Sequence, residues 1–307
     1  MKYTITFSFL LVSILSYSTV SIASCIGFVT VSGGVFWSEV DKGALKAAKE
    51  LGIKIYMRSP IDEANINGQK NIIEAAISFG CKGFVIAPNS KQVNEISSQL
   101  KTQNIPTVYI DRDYGGDRLS IISTNNYLAG AAAGREMVKA LNGKGRVAVF
   151  RLSKKVVSTT LREKGFIDQV TKEGLEVVVD QYIGARVGKA RENSLEILQS
   201  MDDIDGIFTP NETTTLGVLI NRQKLNNVNK VVHIGFDSHK RMIDALETNF
   251  IDGFIVQNPY QMGYKSVHNV YKAMKGQMIE SIIDTGVVFV NKNNINTKKI
   301  KEILNIQ

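Results

Sequence analysis

The stretch IPTVYIDRD, Ile105–Asp113, decides the fold. Thr107, Val108, Tyr109 and Ile110 are strand formers. They make a near-continuous apolar run, as expected of a strand covered on both faces in a parallel sheet. Asp111, Arg112 and Asp113 follow at once. In open α/β sheets ligands bind outside the carboxyl ends of the strands. Asp111 and Arg112 are therefore candidates to hold a small polar ligand, with a solvated turn as the competing reading. Asp113, one residue further out, reads as an exposed turn acid.

Outward from this stretch, strand and helix signals alternate. Val40, Ala44, Ala47, Ala48 and Leu51 form the core stripe of a helix, which Gly52 ends. Strands are expected over Cys25–Val31, Ile53–Met57, Gly83–Pro88 and Thr107–Ile110. Helices are expected over Asn65–Phe79 and Val93–Gln103. A second series opens with a helix over Asn125–Leu141. Its strands are Arg146–Leu152, Leu175–Gln181, Gly206–Thr209, Val231–Phe236 and Phe254–Gln257, and Gly286–Val290 is a last one. Repeated βα units imply parallel sheets with helices on both faces. There are too many units for one sheet, so the fold class is α/β with two doubly wound lobes. The cleft between lobes is then the default ligand site. Gly130 and Gly134 have small-xxx-small spacing, read here as close packing on a sheet rather than membrane pairing.

The chain has 307 residues, a net charge of +8, 44 % hydrophobic and 21 % charged residues. The basic residues are scattered, whereas a nucleic-acid groove needs a clustered basic face with stacking aromatics. No nucleic-acid partner is expected. Met1–Tyr3 carries one Lys, Ile5–Val20 is apolar, and Ile22-Ala23-Ser24-Cys25 follows. This is the pattern of an export signal over residues 1–24, too short and Ser-rich for a membrane span. The ending resembles a bacterial lipoprotein signal, which makes Cys25 a lipidation candidate. Ordinary cleavage near Ala23 or Ser24 is equally open. With Cys25 lipidated or lost, Cys81 has no partner, so no disulfide framework is expected and Cys81 reads as an inert small hydrophobe. There is no G-x-x-x-x-G-K-[ST] motif, no metal-ligand spacing and no Ser/His/Asp arrangement. Neither enzyme activity, metal nor cofactor is expected.

Seven pieces then appear in order: Phe36-Trp37 after the first strand, Asp111-Arg112, STNNYLAG, Arg162-Glu-Lys-Gly165-Phe166, Thr209-Pro210-Asn211-Glu212, Gly235-Phe236-Asp237, and Val256-Gln257-Asn258-Pro259. Over nearly the whole mature chain they resemble a periplasmic sugar-binding protein of the ribose-binding type, in the type I periplasmic binding family. The resemblance implies an extracytoplasmic protein, soluble or anchored through Cys25, and monomeric. It implies lobes of 25–124 plus 258–286 and 125–257 plus 287–307, joined by three crossovers. It implies capture of a monosaccharide or similar ligand by hinge closure and delivery to an ABC permease. The alternative is a sensor component that presents the ligand to a histidine kinase or chemoreceptor.

The resemblance places Phe36 and Trp37 as walls, Asp111 and Arg112 as hydroxyl ligands from one lobe, and Arg162, Asn211, Asp237 and Gln257 as ligands from the other. These residue types suit a sugar. Carboxylates accept from two hydroxyls, a guanidinium donates through a planar fork, and rings cover the C–H face. Trp37 is alternatively core, Asp237 and Asn211 helix caps, and Arg162 a surface ion pair. The chain departs from the family at Gly33-Gly34-Val35, at Ala87 and at Gly184-Ala185-Arg186, which leaves the choice of sugar open. Arg186 inside the pocket would point to an acidic ligand.

Overall fold

The computed structural model describes residues 25–31, 33–63, 65–200, 203–225, 231–304 and 306; the expected export signal, residues 1–24, lies outside them. One six-stranded sheet contains β1 (Cys25–Val29), β2 (Lys54–Arg58), β3 (Cys81–Ile86), β4 (Thr107–Ile110), β5 (Ser120–Ser123) and β11 (Ile282–Asp284). A second contains β6 (Arg146–Arg151), β7 (Glu176–Tyr182), β8 (Gly206–Phe208), β9 (Val232–Phe236), β10 (Gly253–Gln257) and β12 (Val287–Asn291). Their orders are β2-β1-β3-β4-β5-β11 and β7-β6-β8-β9-β10-β12, the same doubly wound order twice. All neighbours run parallel except β12, which lies antiparallel on β10. The helices are α1 (Val35–Leu51), α2 (Ile66–Ser78), α3 (Val93–Thr102), α4 (Asn126–Ala140), α5 (Val157–Lys172), α6 (Val187–Ser200), α7 (Glu212–Lys224), α8 (Lys240–Glu247), α9 (Pro259–Met274) and α10 (Lys298–Leu304).

The central strands bury both faces, which is why they read as unbroken apolar runs. In β1, Ile26 and Phe28 face a core shared with Val108 and Ile110 of β4 and with α1 and α9. Val29 faces the opposite core, with Tyr109 of β4 and with Ile73 and Ile96 of α2 and α3. Each such side chain taken fully out of water contributes about 1.5–3 kcal/mol.

Two helix pairs meet backbone to backbone at glycines. A Cβ on Gly43 of α1 would lie 2.0 Å from the Tyr260 carbonyl oxygen, and one on Gly263 of α9 1.9 Å from that of Val40. In the other lobe, a Cβ on Gly130 of α4 would lie 1.9 Å from the Arg162 carbonyl oxygen, and one on Gly165 of α5 2.0 Å from that of Tyr127. The small-residue spacing at Gly130 thus packs on helix α5, not on a sheet as expected. Its contact residue is Arg162 itself, so this crossing sets where that side chain starts.

The chain passes between the sheets three times, after β5, after β10 and between β11 and β12. At these crossovers Asp284 Oδ1 accepts hydrogen bonds from Asn125 N at 3.0 Å and Gly286 N at 2.8 Å. One carboxylate oxygen therefore holds two of the three connections.

Cys25 and Cys81 form a disulfide. They are the first residues of β1 and β3 and register partners in adjacent strands. This corrects the expectation that Cys81 is unpaired. A sulfur in a disulfide cannot also carry the thioether of a lipid anchor, so the bridge and lipidation of Cys25 exclude each other.

Candidate ligand-binding cleft

Asp111 and Asp237 are the two organising residues. Asp111 follows β4 and Asp237 follows β9, the fourth strand of each sheet order. Both have left-handed backbones, with φ of 63° and 67°, a region that Asp tolerates better than most side chains. Each backbone N–H extends the ladder to the next strand, Asp111 to the Ile122 carbonyl at 3.1 Å and Asp237 to that of Ile255 at 2.8 Å. The ladder fixes the main chain where the side chain leaves it. Asp237 is not the cap of α8; His239 is, through a 3.1 Å bond from Arg241 N.

From the first lobe, Arg112 Nε donates to Asp111 Oδ2 at 3.1 Å. Its Nη1 pairs with Glu63, from the loop between β2 and α2. Burial works against the charge on Arg112, but Asp111 and Glu63 together raise its pKa. From the second lobe, Arg162 is buried, with Cζ 3.9 Å over the Phe236 ring. Its Nε donates to Asn126 Oδ1 at 2.8 Å, its Nη1 donates to the Pro210 carbonyl at 3.0 Å, and Asp237 Oδ2 lies 3.8 Å from Nη1. Arg162 is therefore no surface ion pair. Burial lowers its pKa, against the pull of Asp237 and Asp111.

Gln257, at the end of β10, donates from Nε2 to Asp237 Oδ1 at 2.6 Å. Its Oε1 is buried with no hydrogen-bond partner among the described residues. Asp237 Oδ2 also accepts from Glu212 N at 3.1 Å. Burial and then the Asp237 charge push the Glu212 carboxyl up to about 7. Asn211 caps α7, its Oδ1 accepting from Thr214 N at 3.1 Å.

The two halves meet. Burial pushes the Asp111 carboxyl up; Arg112 and, from the opposite lobe, Arg162 pull it down, while Asp237 and Glu63 push it further up. Asp111, Arg112, Arg162, Asp237 and Gln257 thus form one polar, electrostatically coupled group at the carboxyl ends of both sheets, with Asn211 at its side. At the rim, Tyr114 Oη donates to the Lys155 carbonyl at 3.4 Å, and Arg186 lies 3.9 Å from Asp62. Arg186 is 86 % exposed, so its side chain belongs to the mouth and not to the pocket.

Phe36 and Trp37 take no part in these hydrogen bonds. Helix α1 begins five residues earlier than its apolar stripe suggests, placing both in its first turn. Trp37 is buried in the first-lobe core, with Phe36 packed edge to face on it, ring centroids 5.0 Å apart. Asp113 is half-buried and bonded to Arg118 and to Gly115 N, not a free turn acid.

Two residues escape a sequence reading. Glu63 lies in a loop whose approach to Arg112 depends on the sheet order. Gln69, buried on α2, donates to the Thr30 and Ala87 carbonyls at 3.0 and 2.8 Å and accepts from Asn89 N at 3.0 Å. It ties the chain beyond β1 to that beyond β3 beneath the cleft. A buried polar residue on an otherwise apolar helix face is the one signal it carries. Among the described residues, no cluster of three or more His, Cys, Asp or Glu is placed to hold a metal ion.

A family profile described as periplasmic binding protein domain matches residues 26–278. The D-apiose import binding protein of Paraburkholderia graminis is 28 % identical over 264 residues, covering 84 % of this chain and 83 % of that protein. The ribose import binding protein of Haemophilus influenzae is 24 % identical over 261 residues, covering 84 % and 87 %. Among solved structures, the periplasmic component of an ABC-type sugar transport system from Hahella chejuensis has a TM-score of 0.82 at 32 % identity, over 87 % of this chain and all of that one. A carbohydrate transporter solute-binding protein from Agrobacterium radiobacter, in complex with D-arabinose, has a TM-score of 0.84 at 28 % identity, over 92 % and 99 %. The repeated sheet order, the paired strand-end aspartates and the profile match over residues 26–278 agree, and the chain belongs to the periplasmic binding protein domain family.

Proposed function

We propose that this protein is an extracytoplasmic solute-binding protein that captures a monosaccharide by hinge closure and delivers it to an ABC permease. The observation that carries the reading is the meeting of Asp111 and Arg112 from one lobe with Arg162, Asp237 and Gln257 from the other. A sugar offers vicinal hydroxyls that donate to carboxylates and accept from guanidiniums. Groups from both lobes are needed to hold it, so ligand shifts the population towards the closed form. The buried Gln257 Oε1 is an acceptor for one hydroxyl, and with Asn211 Oδ1 committed to Thr214, the Asn211 amide NH2 is its group for the ligand. Phe36, packed on Trp37, supplies the apolar wall. The lobes of this reading are 25–124 plus 258–286 and 125–257 plus 287–307. The protein acts as a monomer and turns nothing over.

The names of the relatives support a monosaccharide: D-apiose and ribose import, and D-arabinose in a solved complex. A Cys25–Cys81 bridge suits an oxidising compartment outside the cytoplasm and favours a soluble over a lipid-anchored form. The test is titration calorimetry against a panel of pentoses, hexoses and polyols, together with mass spectrometry of small molecules released on denaturation. Binding of one or more sugars, recovered unchanged after incubation, is expected. No binding to any member of the panel, or conversion of a sugar, would sink the reading.

A further inference from the structure

Arg112 is held from both sides. Asp111 accepts from its Nε and Glu63 pairs with its Nη1. Arg162 is met by Asp237 at 3.8 Å. Asp111 feels all four of these other charges at once, so they share one electrostatic environment. Counted formally, Asp111 cancels Arg112 and Asp237 cancels Arg162. Glu63 leaves one negative charge in excess. Glu212, beside Asp237, adds a carboxyl that titrates near neutrality and is never positive. Arg186, at the mouth, is exposed and turned to Asp62.

An acidic ligand needs an open guanidinium edge, because a carboxylate pairs with Arg through that fork. Here Glu63 already takes a nitrogen such a group would use, and its own charge repels the newcomer. Glu63 itself is 40 % exposed, so solvent screens part of that repulsion, but the Arg112 and Asp111 side chains it faces are only 9 % and 8 % exposed. A neutral sugar loses nothing to it, and an ammonium on the ligand is attracted. On the proposed reading as a monosaccharide-binding protein, we infer that Glu63 is a specificity-determining residue that closes Arg112 to acids, so that the cleft accepts uncharged and amine-bearing sugars and rejects uronic acids. The device is negative selection, a like charge set against the wrong ligand.

The experiment is titration calorimetry of the wild type and Glu63→Gln with D-glucose, D-galactose and D-mannose, each as parent sugar, 2-amino-2-deoxy sugar and uronic acid. For a ring that binds, the wild type is expected to take the uronic acid at least about tenfold more weakly than the parent, and the amino sugar as well or better. Glu63→Gln keeps an oxygen for Arg112 but removes the charge, so both ratios move towards one by several-fold. A melting curve confirms that the variant folds. A uronic acid that binds the wild type as tightly as its parent, or ratios unchanged in Glu63→Gln, overturns the inference and leaves the monosaccharide reading standing. A wild type that binds no form of these rings also overturns it; failure against the wider panel as well removes the reading beneath.

Discussion

Asp111 and Asp237 are the same residue in the same place, once per lobe. Each ends a fourth strand with a left-handed backbone and a main-chain bond to the fifth. On the proposed hinge-closure reading, closure brings two copies of one device face to face. Substituting either by Asn keeps a side chain that tolerates this backbone but removes the charge that, on the proposed reading, accepts from a sugar hydroxyl. Asp111→Asn or Asp237→Asn is expected to weaken the tightest-binding sugar by at least about tenfold, measured by calorimetry. Asp→Ala at either site adds about 1 kcal/mol of backbone cost, visible as a lower denaturant midpoint than that of the Asn variant.

Gly130→Ala tests how the site is positioned. Its Cβ would meet the Arg162 carbonyl at 1.9 Å, so α4 and α5 must separate. Overpacking of this kind costs about 1–3 kcal/mol, and moving α5 also carries Arg162 away from Asn126 and Pro210. Lower stability and weaker sugar binding should appear together. Gly188→Ala on α6 meets nothing within 4 Å. It should raise stability by about 0.5 kcal/mol and leave affinity unchanged.

The Cys25–Cys81 bridge closes a loop spanning 56 positions in sequence. Removing a cross-link of that span costs about 4 kcal/mol in the chain-entropy account. Reduction should lower the melting temperature on the order of 10 °C. The intact mass of the exported protein should be lighter than the reduced one by two hydrogens. A mass heavier by a diacylglyceryl group would place the sulfur in a thioether instead.

Glu163 predicts a pH dependence. Its side chain is fully buried, and burial pushes its carboxyl up to about 7, against the Leu152 N–H and Arg151. The folded state therefore holds a proton that the unfolded chain releases near 4.5. Stability from this group is present below about 4.5 and is lost as pH rises to about 7. At full effect this is about 3 kcal/mol. Glu163→Gln keeps an acceptor for Leu152 and should flatten the fall in denaturant midpoint between those pH values. A slope identical to the wild type would refute the assignment.

Most of the fold was legible because the central strands are buried on both faces, as at Ile26–Val29 and Val108–Ile110, and such runs are unmistakable. Strand β11 and helix α10 were not foreseen. Ile282–Asp284 is a three-residue edge strand with exposed residues, and Lys298–Leu304 is short with one buried side chain, Ile300. The core stripe of helix α1 was legible from Val40, but its start at Val35 was not, because Gly34 leaves no side-chain cap there. Asp111, Asn211, Asp237 and Gln257 were legible as polar types at strand ends, whereas Arg162, inside helix α5, was legible only through the family resemblance. Their partners were not: the Cys25–Cys81 bridge, the Glu63–Arg112 pair and the Gln69 bonds each join segments that only the strand order makes neighbours. The disulfide needs β1 beside β3, and nothing in the spacing of the two cysteines says so.

The shared acceptor at the crossovers restricts how the lobes move. Asn125 and Gly286 lie on different connections, yet both donate to the same oxygen of Asp284. Sliding or twisting one connection past the other breaks one of these bonds. Rotation about the line through them keeps both. On the proposed hinge-closure reading, the swing that brings Arg162 and Asp237 over Asp111 therefore carries these two crossovers together, as one linked pair.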